Sequence, residues 1–145
     1  MRITISINDI TKRIYAISAV RAVNASDGPK TAVLTRDNAL LLRRLICDSF
    51  MHTVGELAAS VTDFSPPESD DSSSDILWID LDCESPAPGV AGESLAAAVL
   101  GTVLSLAFSG SFGSESDEYA VAAAGAIRNL RRATARCGRL RRHIC

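Results

Sequence analysis

Apolar and polar residues alternate at the start of the chain. Ile3, Ile5 and Ile7 are interleaved with Arg2, Thr4 and Ser6, the period of two that marks a half-buried strand. Ser6-x-x-Asp9 has the spacing of a capping box, in which the hydroxyl accepts an orphan backbone N–H. Ile10, Ile14, Ile17 and Val20 then recur at helical spacing and predict a helix over 8–24, which Asp27-Gly28-Pro29 stops. A second helix opens at Thr35 as N-cap, with Asp37 in its first turn. Leu42, Leu45, Ile46, Phe50, Val54, Leu57, Val61 and Phe64 form one face; Arg44, Asp48, Glu56 and Asp63 form the other. The pattern carries this helix as far as Phe64, where Pro66-Pro67 ends it.

Residues 65–74, SPPESDDSSS, hold no apolar side chain besides the prolines and are expected to form a mobile acidic, serine-rich loop. The alternation returns in 75–82: Leu77, Ile79 and Leu81 point one way, Trp78, Asp80 and Asp82 the other. The Ile3-Ile5-Ile7 segment is the partner expected for this strand. A third helix is predicted over 92–109, with Ala97, Gly101 and Ser105 at every fourth position forming a narrow side for close backbone approach. A fourth starts at Ser116 or Asp117, presents Tyr119, Ala123, Ile127, Leu130 and Ala133 on one face, and is expected to end near Arg136 with Gly138 as C-cap. The arginines near its end suit the negative pole of the helix dipole. The reading is a single domain over 1–145 of mainly α (α+β) class: about four helices in a bundle-like core, a small two-stranded β element, and a basic C-terminal tail over 137–145.

Composition changes little in this picture. At 145 residues the chain is the size of one domain. Its apolar share is 47% and its aromatic share only 5%, which favours helices packed through small side chains over a β-sandwich. No secretory h-region follows Met1-Arg2. The longest apolar run, Leu95 to Phe108, falls short of the ~20 residues that span a bilayer and is expected to be a buried helix, with no membrane partner. Cys47, Cys83, Cys137 and Cys145 include no C-x-x-C pair, and reduced thiols in a cytoplasm are expected.

Charge is the informative property. Residues 1–44 carry eight basic and three acidic side chains; 45–127 carry fourteen acids and no lysine or arginine; 128–145 carry seven arginines and no acid. A net charge of −2 hides this segregation, which bears on partners rather than on a reaction.

The catalytic signatures are weak. Asp80, Asp82 and Glu84 sit at alternate positions like ligands for a hard cation, but a strand end facing water carries acids for simpler reasons. His52 lies near Cys47 and Asp48, yet helical geometry separates Cys47 from His52 around the axis, and a surface histidine is the plainer reading. No G-x-S-x-G, G-x-G-x-x-G or Walker A motif occurs. No catalytic residue, metal site or cofactor is therefore expected. Arg128, Arg131, Arg132, Arg136, Arg139, Arg141, Arg142 and His143 are either phosphate contacts, a solvated helix end, or a surface that meets acids such as Asp80 and Asp82 in the same or a neighbouring subunit. No interleaved aromatic residue is present to stack bases.

The order of these elements, with the capped TRDNALLLRRLI segment at 35–46 and EYAVAAAGAIRNLRR at 118–132, resembles small virion proteins of prophages. It is similar in particular to the head–tail connector, or neck adaptor, proteins of tailed phages. That resemblance implies a non-enzymatic homo-oligomer that meets other virion proteins, located in the bacterial cytoplasm or the virion, with no catalytic residue to carry over. The expected function is an oligomeric structural protein whose basic ends and acidic middle meet head to tail, closing into a ring where the rotation allows. The alternative is a nucleic-acid-binding module that uses the arginine-rich C-terminal helix and tail.

Overall fold

The computed structural model describes residues 1–24, 38–65, 74–83, 88–109 and 113–144, with side chains at all of these except 22–24, 88, 113–114 and 136–144. Among the described residues seven elements follow one another: β1 (Arg2–Ser6), α1 (Ile7–Asn24), α2 (Ala39–Glu56), β2 (Val61–Phe64), β3 (Ile76–Leu81), α3 (Pro88–Phe108) and α4 (Gly113–Ile144). The fold is mainly α with a small antiparallel sheet. The caps expected at Thr35 and Asp37, the stop at Asp27-Gly28-Pro29 and most of the 65–74 loop lie outside the described residues.

β1 and β3 pair antiparallel with Ile3 opposite Ile79 and Ile5 opposite Leu77, as their alternation demanded. Ile3, Ile5, Leu77, Ile79 and Leu81 are buried on one side of the sheet. The chain passes from β1 directly into α1, and the turn is tied from the neighbouring strand. The Ile7 N–H donates to the Asp75 carbonyl at 2.8 Å. The Asp75 carboxylate accepts the Asn8 N–H at 2.7 Å and the Ser6 hydroxyl at 2.6 Å. The Ser6 Oγ in turn accepts the Asp9 N–H at 3.2 Å. Half of the expected capping box is therefore present, and Asp75 completes the cap from a distance of some seventy residues along the chain.

The sheet has three strands in the order β1-β3-β2, not two. The predicted second helix is the source of the difference. It stops at Glu56, and Val61–Phe64 runs extended as β2, antiparallel to β3 with an irregularity between Val61 and Asp63. Thr53, Val54 and Gly55 are poor helix formers that weaken the last turn. Val61 and Thr62 are β-branched and gain ladder hydrogen bonds on β3 that a further helical turn would forgo. Val61 and Phe64 pack against the core, though from a strand rather than a helix.

α3 is the central helix. Leu95, Ala98, Val99, Val103, Leu104 and Phe108 are buried, and β1, α2 and α4 pack around it. By length and composition it would cross a bilayer, but the same apolar character serves a core helix covered on several sides. Its closest neighbour is α4, which runs antiparallel to it. A Cβ built on Gly101 would lie 2.9 Å from the Tyr119 carbonyl oxygen and 3.0 Å from the Ala123 Cβ. One turn further on, the Ser116 hydroxyl donates to the Ser105 carbonyl at 2.8 Å. Gly101 and Ser105 thus form the predicted narrow side, whereas Ala97 is exposed.

α4 is longer than its pattern implied. It runs through Gly138 to Ile144, 32 residues against 21 in α3, so the segment expected as a tail is helical backbone. At 1.5 Å per residue the two helices are roughly 48 and 31 Å long, and α4 outreaches its support. Gly138 is not a C-cap, because the alanine- and arginine-rich residues around it carry enough helix propensity to pass one glycine.

Gly101→Ala is expected to lower stability by about 1–2 kcal/mol, because overpacking against backbone outweighs the gain in helix propensity. Gly125→Ala, where nothing lies within 4 Å of the added Cβ, is expected to raise stability by up to about 1 kcal/mol. Urea unfolding of both variants, followed by circular dichroism, checks the opposite signs.

Candidate functional site

The segregated charges of the sequence meet inside one molecule. Each ion pair among the described residues joins a basic segment to the acidic middle of the chain: Arg2–Asp80, Arg13–Glu93, Arg21–Glu115 and Arg131–Glu56.

The best formed lies on the solvent face of the sheet. The Arg2 Nε and Nη2 donate to the two Asp80 oxygens at 2.8 and 2.9 Å, and its guanidinium stacks 3.8 Å from the centre of the Trp78 ring. Register explains the geometry, because Arg2 lies opposite Asp80 on β3 and Asp63 of β2 flanks Asp80 on the other side. The Arg2 hydrogen bond holds the Asp80 carboxyl below its ordinary value, and the Asp80 hydrogen bond raises the Arg2 guanidinium. The neighbour of Asp80 is thus Asp63, which the sequence pattern gave no reason to choose, and arginine occupies the place a cation would take. Asp82 is exposed at the end of the strand; Glu84 lies outside the described residues. No group of three or more metal-ligating side chains is present among the described residues.

Arg21 ties α1 to the start of α4. It pairs with Glu115, donates to the Tyr119 hydroxyl at 2.9 Å and lies over the Phe108 and Tyr119 rings. Arg131 does the same for α2 and α4. It donates to the Glu56 carbonyl from Nε at 3.0 Å and from Nη2 at 2.8 Å, and to the Glu56 carboxylate at 2.6 Å. Arg131 is therefore a C-cap ligand of α2 from within the same chain.

Arg128 and Arg132 differ from it. Both are exposed, and neither has an ion pair among the described residues. The same holds for Asp117 and Glu118 near the other end of the helix. Side chains at Arg136 and Arg139 lie outside the described set. Beside the exposed face of α4 runs an open groove of about 470 Å³, walled by Thr102 and Leu106 of α3, His52 and Glu56 of α2, and Ala120 and Ala124 of α4. His52 sits exposed at its mouth, as a surface histidine.

Two cysteines, Cys47 and Cys83, have described side chains. Cys47 is free and buried, and burial pushes its thiol above the ordinary value, the reverse of what a reactive thiolate needs. Cys83 is disulfide-bonded, so the expectation of reduced thiols throughout fails at that position.

Comparison of the chain with protein-family models, curated proteins and solved structures finds no match.

Asp80 supplies the pH test. A carboxyl held low in the folded state adds stability above its unfolded value, here 3.8, and loses it as pH falls through the folded value. Asp80→Asn should therefore be less stable than the parent at pH 6–7, and the difference should shrink as pH falls through the lowered folded value. Parallel urea titrations across that range check it.

Proposed function

We propose that this chain is a non-enzymatic structural subunit that associates with copies of itself through opposite charges carried on one rigid helix. The observation behind this reading is the placement of unpaired charge on α4. Asp117 and Glu118 are exposed near its start, and Arg128 and Arg132 are exposed beyond its middle. The helical rise sets Asp117 roughly 17 Å from Arg128 and 22 Å from Arg132, several times the reach of an ion pair. A helix packed on α3 cannot fold back, so these charges can neutralise each other only between copies. The setting we propose is the virion neck of a tailed phage or prophage, the family of small proteins that the order of elements resembles. Among the arginines whose side chains are described on α4, Arg131 is engaged on Glu56 of its own chain, and Arg128 and Arg132 carry the proposed contact.

Light scattering at low ionic strength should give a mass above that of a monomer, falling as salt screens the contact. The pair Arg128→Glu and Arg132→Glu should be monomeric, as should Asp117→Lys with Glu118→Lys. Mixing the two variants should restore a larger species. A parent that stays monomeric throughout would overturn the proposal.

One observation favours a second reading. Because α4 continues unbroken to Ile144, Arg128, Arg132, Arg136, Arg139 and Arg142 recur at intervals of three and four residues along a single helix. Such a row suits a run of phosphates, and each neutralised phosphate adds about 0.9 to the slope of log affinity against log salt on duplex DNA. Filter binding with a slope of several units, abolished by glutamate at Arg136 and Arg139, would favour nucleic acid over self-association.

A further inference from the structure

The exposed face of α4 carries a pattern that matches its own reverse. Asp117, Val121, Ala124 and Arg128 stand at spacings of four, three and four residues, the a and d positions of a heptad, and all four are exposed. Val121 is 70% exposed, a large apolar side chain with no cover on a surface of alanines and charges. Read in one direction the stripe is acid, apolar, small, base. Laid antiparallel on a second copy, it sets Asp117 opposite Arg128 at both ends and Val121 opposite Ala124 twice in the centre.

We infer that copies of this chain associate by antiparallel, two-fold pairing of α4 on α4, centred between Val121 and Ala124. This rests on the self-association proposed above and names its surface, a closed two-fold pair in place of the head-to-tail ring expected from the sequence. Three alternatives of register fare worse. Parallel in-register pairing puts Asp117 on Asp117 and Arg128 on Arg128. A staggered head-to-tail contact satisfies one end of each helix and leaves Val121 against charge. A shift of one residue in the antiparallel pairing turns the stripes away from each other. The antiparallel arrangement also opposes the two helix dipoles. It is isologous, so each favourable contact is made twice.

Shape agrees with charge. Ala120 and Ala124 add little bulk to the stripe, which lets a second helix approach at the roughly 8 Å separation of close-packed pairs. The groove of about 470 Å³ opens alongside, and on its far wall Leu106 is 53% exposed. An incoming helix covers both Leu106 and Val121, which nothing else in the described chain does.

The test is a Val121→Cys substitution treated with a short bismaleimide, against the parent as control for the native cysteines. Residue 121 of each copy lies within about 10 Å of its mate in this pairing, from the helix rise and separation. The expected product is a covalent dimer, formed only by the variant. Ala124→Glu, which sets two carboxylates across the axis, should weaken dimerisation at least tenfold with the helical circular dichroism unchanged. Asp117→Arg should do likewise, and adding Arg128→Asp to it should restore the dimer. Oligomers in the parent with neither Val121 linkage nor an effect of Ala124→Glu would overturn this pairing and leave self-association standing. A monomeric parent would remove both.

Discussion

The contact between α3 and α4 at Gly101 governs the molecule. A hydrogen at that position allows the Tyr119 carbonyl and Ala123 to sit where any side chain would be. Close approach over this stretch fixes the direction of α4, and a fixed α4 holds its charges at set distances. α3 is also the helix on which β1 and α2 rest, so the same element carries the sheet and the rod. The core is a single cluster running from Ile3 to Leu130, with no division into independent parts among the described residues.

Charge segregation along the chain becomes a fastening device once the chain folds. A segment with no lysine or arginine cannot satisfy its own carboxylates, so Asp80, Glu93, Glu115 and Glu56 draw cations from the flanking segments. Each such exposed pair is weak. Their value is in specifying which segment lies beside which. Arg2 on Asp80 reports the β1–β3 register, and Arg131 on Glu56 reports where α4 crosses the end of α2. On α4, Asp117, Glu118, Arg128 and Arg132 stay exposed outside these pairs.

Periodicity revealed much of this architecture and missed part of it for physical reasons. β1, β3 and the central helix were visible because their alternation or apolar content matched their burial. The Val61–Phe64 strand was hidden because Val61 and Phe64 fall at helical spacing after Leu57; only the partnership with β3, a distant segment, decides in favour of extension. The end of α4 was misplaced because glycine is a common stop signal, but it is not an obligatory one. For the candidate site, Arg128 and Arg132 were legible as basic residues, whereas the internal engagement of Arg131 depended on where α2 ended. Asp75 gave no signal at all, since its role as a cap for α1 exists only after the strands pair.

The β1–β3 pairing also has a temporal side. Arg2 and Asp80 are 78 positions apart, so the first strand leaves the ribosome long before its mate exists. At translation speeds of about 5–20 residues per second, Ile3, Ile5 and Ile7 wait roughly 4–16 seconds without a ladder to join. Throughout that interval the nascent chain exposes a short isoleucine-rich segment with both edges open, the kind of sequence that invites mispairing between neighbouring polypeptides on a polysome. β1 is thus secured only once β3 has been made, and chaperone capture of this isoleucine segment is where the cell would first meet the topology.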